Sequence, residues 1–63
     1  MMTLRQMLKI VCGRIQIIDF NAKDPIVFEG TLIDERVSKV LHKQVKGVWA
    51  NQNDGTIMIS IGD

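Results

Sequence analysis

The chain is predicted to be a two-layer α+β domain, with a four-stranded, mostly antiparallel sheet of two β-hairpins and two helices on one face. Three patterns support this prediction. The last third contains two β-rich runs joined at an Asp54-Gly55 turn, and a second pair of β-rich runs flanks a turn at Pro25. Two stretches with helical spacing of apolar residues precede these pairs. The predicted order is α-β-β-α-β-β, in one domain spanning residues 1–63.

The first helix is expected to begin after Thr3. Gln6 follows Thr3 by three residues, a capping-box pattern in which each side chain satisfies a backbone donor of the first turn. Gly13 is placed to end the helix. One apolar stripe of this helix should therefore consist of Leu4, Met7, Leu8 and Val11.

The first pair of strands is expected over 14–20 and 25–32. Alternation begins at Ile15, and Pro25 is tolerated as the first residue of a strand. The short connection favours an antiparallel hairpin, since a parallel return needs a longer crossover. With the last strand, these runs should turn one apolar set toward the helices: Ile15, Ile17, Ile26, Phe28, Leu32, Ile57, Ile59 and Ile61.

The second helix should begin at Ile33 or Asp34. Its acids lie near the start and its bases near the end, which suits the helix dipole, and its buried side should comprise Val37, Val40 and Leu41. The third strand, 45–50, leaves two registers open, with either Val45 and Trp49 or Val48 and Ala50 as its core set. A single Trp in a small domain is more often core, but an exposed Trp49 would be an effective interface anchor.

The other face of the sheet is predicted to be unusually apolar. An apolar patch on an open sheet face indicates association, so the sequence predicts a homodimer or a complex with another protein. The alternative is that polar neighbours reduce the patch to single exposed hydrophobes. The candidate interface residues are Ile18, Phe20, Val27, Val48, Ala50 and Met58; the polar neighbours are Gln16, Glu29, Thr31, Lys46 and Ser60.

A basic ridge on the second helix is the alternative site. Its spacing would allow contact with phosphates, or with the acidic 19–35 block of a second copy or of another protein. The formal net charge is only +1, and no aromatic residues are interleaved with the basic ones. We therefore favour a solvated helix face over nucleic-acid binding. The ridge consists of Arg36, Lys39, Lys43 and Lys46.

Catalysis is not expected. The only Cys/His pair is Cys12 and His42, with no third residue to orient them, and Cys12 should be a buried, inert thiol. One Cys and one His fall short of a zinc site, and the glycines are dispersed singly, so neither a metal nor a cofactor nor a small-molecule substrate is predicted. The sequence therefore favours a non-enzymatic binding or regulatory module.

A small core favours additional burial against a partner chain. A 63-residue domain buries only about 60% of the surface of its unfolded chain. With 46% hydrophobic and 24% charged residues, the composition is that of a folded domain. No apolar run is long enough to cross a bilayer, and the N-terminus has no signal-peptide layout, so we expect no membrane contact and a cytoplasmic location.

The layout resembles small uncharacterised proteins encoded by phages, prophages and conjugative elements of bacteria. The likeness lies in the Thr3-Leu4 helix opening, the strand at 13–19, and above all Val45-Lys46-Gly47-Val48-Trp49-Ala50 followed by Asn53-Asp54-Gly55-Thr56-Ile57. The resemblance implies an accessory or regulatory binding role. It carries no functional residues that can be assigned here.

Overall fold

Six short elements form the fold in the predicted order. A computed structural model describes residues 1–62. The elements are α1 (Leu4–Met7), β1 (Ile15–Asp19), β2 (Ile26–Gly30), α2 (Glu35–Ser38), β3 (Gln44–Ala50) and β4 (Ile57–Gly62).

The sheet is mixed, with strand order β2-β1-β4-β3. The two predicted hairpins are present as antiparallel pairs, β1 with β2 and β3 with β4. They join through a parallel pair at the centre, in which Ile17 of β1 lies beside Ile59 of β4. The prediction of a mostly antiparallel sheet missed this pair. The chain between β1 and β4 runs through three further elements, which is ample length for a parallel return.

α1 begins where the capping box predicts, but it is much shorter than expected. The Thr3 backbone N–H donates to Gln6 Oε1 at 2.9 Å, and the Gln6 N–H donates to Thr3 Oγ1 at 3.3 Å. The helix ends at Met7, and tighter turns follow, with the Ile10 N–H donating to the Met7 carbonyl at 3.1 Å. Leu4 is the one buried residue of this helix. The predicted stripe is nevertheless confirmed, because Met7, Leu8 and Val11 all pack against the core.

α2 is also a single turn. Asp34 caps it by accepting the Arg36 backbone N–H at 2.9 Å, and the helix ends at Ser38. Val37 is fully buried, and Val40 and Leu41 pack against the core from the turns beyond the helix. The apolar spacing therefore identified the packing residues, although the helical hydrogen bonding stops early.

One hydrophobic core lies between the helices and one face of the sheet. Two residues assigned to it by alternation are exposed: Ile26 is 51% exposed and Leu32, beyond the end of β2, is 84% exposed. A bulge in the β1–β2 pairing explains the first, because Ile17 faces Phe28 while Ile18 faces Ile26, and Val27 packs on the core instead. The buried cluster comprises Leu4, Ile15, Ile17, Phe28, Val37, Ile59 and Ile61.

β3 places Val48 and Ala50 on the core side, which is one of the two registers expected from its sequence, and a bulge brings Val45 to the same side. A bulge between Val45 and Gly47 lets Val45 pair with Ile61 while Val48 pairs with Ile59. Directly opposed residues share a face, so both valines lie on the core side of the sheet. Trp49 pairs with Met58 on the other face and is 43% exposed. The expectation of a core Trp is therefore wrong.

The N-terminal residues Met2–Leu4 lie along the start of β3, and we call this segment the N-terminal clasp. The Val45 N–H donates to the Met2 carbonyl at 2.8 Å, and the Leu4 N–H donates to the Lys43 carbonyl at 2.9 Å. Thr3 and Gln44 form an isolated antiparallel bridge. The clasp thus pairs with the outer edge of β3 as far as Val45.

Candidate functional site: the open face of the sheet

The sheet face opposite the core carries two rows of side chains, and we call it the open face. Strand pairing defines each row, because residues that oppose each other across a ladder point to the same side. In order from β2 to β3, the first row is Ile26, Ile18, Ser60 and Gly47, and the second row is Glu29, Gln16, Met58 and Trp49.

Neither helix covers the open face. Leu4 of α1 and Val37 of α2, the buried residues of the two helices, both belong to the core cluster on the opposite side. A two-layer domain protects only one face of its sheet in this way. The open face is therefore the side of the sheet that the helices leave available to another molecule.

Apolar side chains lie next to each other within both rows. Met58, which is partly buried, adjoins Trp49, and the buried Ile18 adjoins Ile26. Trp49 and Ile26 keep 43% and 51% of their surface exposed. A contiguous apolar patch of this kind marks an association surface more often than scattered single hydrophobes do.

Trp49 lies against a residue without a side chain. A Cβ placed on Gly47 would lie 3.7 Å from Trp49 Cζ3 and 3.1 Å from Ser60 Oγ. Gly47 therefore leaves room for the indole ring to lie along the strand. Ser60 Oγ also donates to the Gly47 carbonyl at 3.4 Å, a long hydrogen bond on the same face.

Polar side chains occupy the corner of the open face near β2. Arg14 Nη2 lies 3.0 Å from Glu29 Oε1, and Gln16 Nε2 donates to Glu29 Oε2 at 2.6 Å. Both members of the ion pair are about half exposed, so it contributes little to stability. Glu29 and Gln16 thus form a polar corner, and Ser60 is the one polar side chain in the rest of the two rows.

The predicted interface set is only partly assembled by the structure. Ile18 and Met58 lie on the open face. Phe20, just beyond β1, is 70% exposed. Val27 packs on the core, and Val48 and Ala50 oppose core-side residues of β4, so their assignment to the open face is wrong. The two bulges shift the alternation by one residue and cause these errors.

Trp49 and Ile26 are the open-face residues that alternation missed. A signal for Trp49 was present in the sequence, because a hairpin closing at Asp54-Gly55 pairs Ala50 with Ile57. If Ile57 faces the core, Ala50 must do so as well, and Trp49 then points away. The sequence contains no comparable signal for the bulge that reorients Ile26.

The predicted basic ridge is not a continuous helix face, because α2 ends before Lys39. Arg36 Nη2 lies 2.7 Å from Asp34 Oδ2, and its guanidinium carbon lies 5.4 Å from the Phe28 ring centroid. This pairing lowers the pKa of Asp34 and raises that of Arg36. Lys46 Nζ donates to Gln44 Oε1 at 3.3 Å. The four side chains therefore do not act as one phosphate-binding stripe.

Lys43 forms the most buried ion pair among residues 1–62. Its Nζ lies 2.6 Å from Asp19 Oδ2, and the Asp19 side chain is only 3% exposed. The hydrogen bond from Lys43 lowers the pKa of Asp19, although burial alone would raise it. The pair joins the end of β1 to the turn that precedes β3, so its role is structural.

The next features to consider are pockets, metal-ligand clusters and the single cysteine. Residues 1–62 contain no group of three His, Cys, Asp or Glu side chains placed to hold a metal, and no pocket. Cys12 is exposed, which corrects the expectation of a buried thiol. The early end of α1 leaves Cys12 in the connection to β1 rather than on the apolar side of a helix.

The chain matches no protein-family model, and comparisons with curated proteins and with solved structures also found no match. Among residues 1–62, no helix has the length and apolar character needed to span a membrane. The case for a function therefore depends on the geometry of the open face.

Proposed function

We propose that this protein is a small, non-enzymatic protein–protein interaction or regulatory module that self-associates through the open face. The observation that carries the proposal is the adjacency of Met58 and Trp49 on a sheet face that neither helix covers. Tryptophan is enriched among the residues that dominate interface energetics. The polar corner at Glu29 then lies toward the rim, where ion pairs remain solvated.

The size of the open face predicts weak binding by a single pair of faces. Four strands at ~4.8 Å spacing and about five residues at ~3.3 Å rise give roughly 320 Å² per copy, or ~640 Å² for two copies. Stable interfaces bury about 1,200–2,000 Å² in total. We therefore expect concentration-dependent association in the micromolar range or weaker.

A cytoplasmic location and an origin in a phage or mobile element are parts of the same proposal. The support for the origin is the resemblance of the hairpin at 45–57 to small proteins of such elements, which implies a binding role, and the support for the location is the single cysteine, Cys12, which cannot form an internal disulfide. Nucleic-acid binding receives less support, because Arg36 is paired with Asp34 and Lys43 with Asp19.

A charge placed on the open face tests the proposal. Met58→Lys should weaken association at least tenfold, because two ammonium groups would be desolvated in the contact. Leu32→Lys is the matched control, since Leu32 is 84% exposed and lies outside the sheet. Sedimentation equilibrium at ~20 µM to 1 mM, with circular dichroism to verify folding, measures both variants. Equal association of Met58→Lys and wild type would overturn the proposal.

A further inference from the structure

The outer edge of β3 is paired only at its start. The N-terminal clasp hydrogen-bonds this edge at Val45, and β3 is the last strand of the sheet on that side. Beyond the clasp, residues 46–50 pair with β4 on their inner side, and no strand among residues 1–62 lies beside them on the outer side. We call this stretch the free edge.

Ladder geometry shows which backbone groups of the free edge point outward. The Asn51 N–H donates to the Thr56 carbonyl at 2.8 Å, so Asn51 faces β4. Inward and outward residues alternate along an antiparallel strand. Trp49 and Gly47 therefore bond to β4, whereas the N–H and C=O groups of Val48 and Ala50 point away from the sheet.

Side-chain exposure on both faces indicates that the free edge lacks a neighbour. Val48 lies on the core side and is still 46% exposed, and Trp49 on the open face is 43% exposed. Two adjacent residues on opposite faces are both half exposed because nothing flanks them laterally. A strand added at this edge would cover both side chains.

We propose that the free edge pairs with the free edge of a second copy, antiparallel and centred on Val48. Val48 would exchange two backbone hydrogen bonds with Val48 of the second copy, an arrangement that its outward groups require. Trp49 would then oppose Gly47 of the second copy. These opposed residues lie on the same face, and because each indole ring lies against Gly47 of its own strand, the two rings would lie side by side across the two-fold axis.

A second copy suits this edge better than an unrelated strand. The edge already accepts extended backbone of this same chain, since the clasp bridges it at Gln44. The free edge is bounded by the clasp before residue 46 and by the loop after Ala50. Pairing is therefore limited to a short segment with Val48 at its centre. The opposite edge strand, β2, has only five residues and follows Pro25, so the pairing closes as a dimer rather than growing into a fibre.

Edge pairing also enlarges the open face. It would join two four-stranded sheets into one of eight strands, with both open faces on the same side. The doubled face measures roughly 640 Å², and two such faces in contact would bury ~1,300 Å², within the range of stable interfaces. The edge contact does not depend on the face contact of the proposed function, and different residues test the two.

Amide hydrogen exchange tests the edge pairing directly. In the monomer the outward Val48 amide should exchange rapidly, while the Trp49 amide is protected by β4. Raising the protein from ~20 µM to 1 mM should slow exchange at Val48 at least tenfold and leave Trp49 nearly unchanged as the internal reference. An unprotected Val48 amide at 1 mM would overturn the proposal.

A proline variant separates the two contacts. Val48→Pro removes an outward N–H, which an edge strand tolerates, so the fold should persist while the edge dimer is lost. The edge contact is supported if association is lost in Val48→Pro and kept in Met58→Lys. If association is instead kept in Val48→Pro and lost in Met58→Lys, the edge contact is overturned and the proposed face contact is retained. If Val48→Pro fails to fold, the exchange measurement on the wild-type chain still decides.

Discussion

Leu4 is predicted to hold both the first helix and the N-terminal clasp in place. It is fully buried, and it is the only buried residue of α1. Replacing it with Ala removes three methylene equivalents at ~0.8 kcal/mol each, and the residual cavity raises the loss to about 3 kcal/mol. The whole 63-residue domain is expected to have only about 3–9 kcal/mol of stability. Leu4→Ala should therefore remove a third or more of it.

Urea denaturation followed by circular dichroism measures this loss, with Arg5→Ala as the matched control. Arg5 lies on the same helix and is exposed, so its truncation should change stability by less than about 0.5 kcal/mol. Leu4→Ala should also speed exchange of the Val45 amide, which bonds to Met2. A stability of Leu4→Ala within 0.5 kcal/mol of Arg5→Ala would refute the assigned role of this contact.

Three further outcomes are expected. The lowered pKa of Asp19 gives a stability contribution that is complete above the unfolded-state pKa near 3.9 and disappears as pH falls through the folded value. Asp19→Asn should therefore lower the urea midpoint at pH 7 but much less near pH 2; an equal difference at both values would contradict this. Gly55→Ala should cost about 1 kcal/mol in urea unfolding, because Gly55 has a φ of +76° with open space around it, and a neutral result would exclude backbone strain there. Iodide should quench Trp49 fluorescence less at 1 mM protein than at ~20 µM, and unchanged quenching would show that the indole ring is not covered.

The sequence predicted those features that depend on local spacing. The capping box at Thr3 and the packing residues around Val37 follow from side-chain geometry within one or two turns, and both are confirmed. The lengths of the helices were overestimated, because apolar spacing continues through Val11 while the hydrogen bonding changes to tighter turns. Apolar periodicity thus identifies which residues pack on the core, but it does not show whether their backbone is an α-helix or a series of tighter turns.

The remaining errors come from long-range pairing. The parallel contact between Ile17 and Ile59 joins residues far apart in the chain, and no local pattern specifies it. The bulge next to Val45 adds one residue to β3 and reverses the faces of Val48 and Trp49. Because strand alternation has a period of two, one unrecognised bulge moved the candidate interface from Val48 and Ala50 to Trp49.

The central claim is that this chain acts by associating with itself, and the most direct measurement is the solution mass of the wild-type protein. Light scattering behind a sizing column, with loading from ~20 µM to several mM, reports the mass at each concentration. We predict the 7.1 kDa monomer at the lowest loading and a rise to at least twice that mass at the highest. A constant mass of 7.1 kDa over the whole range would contradict both the face and the edge contacts.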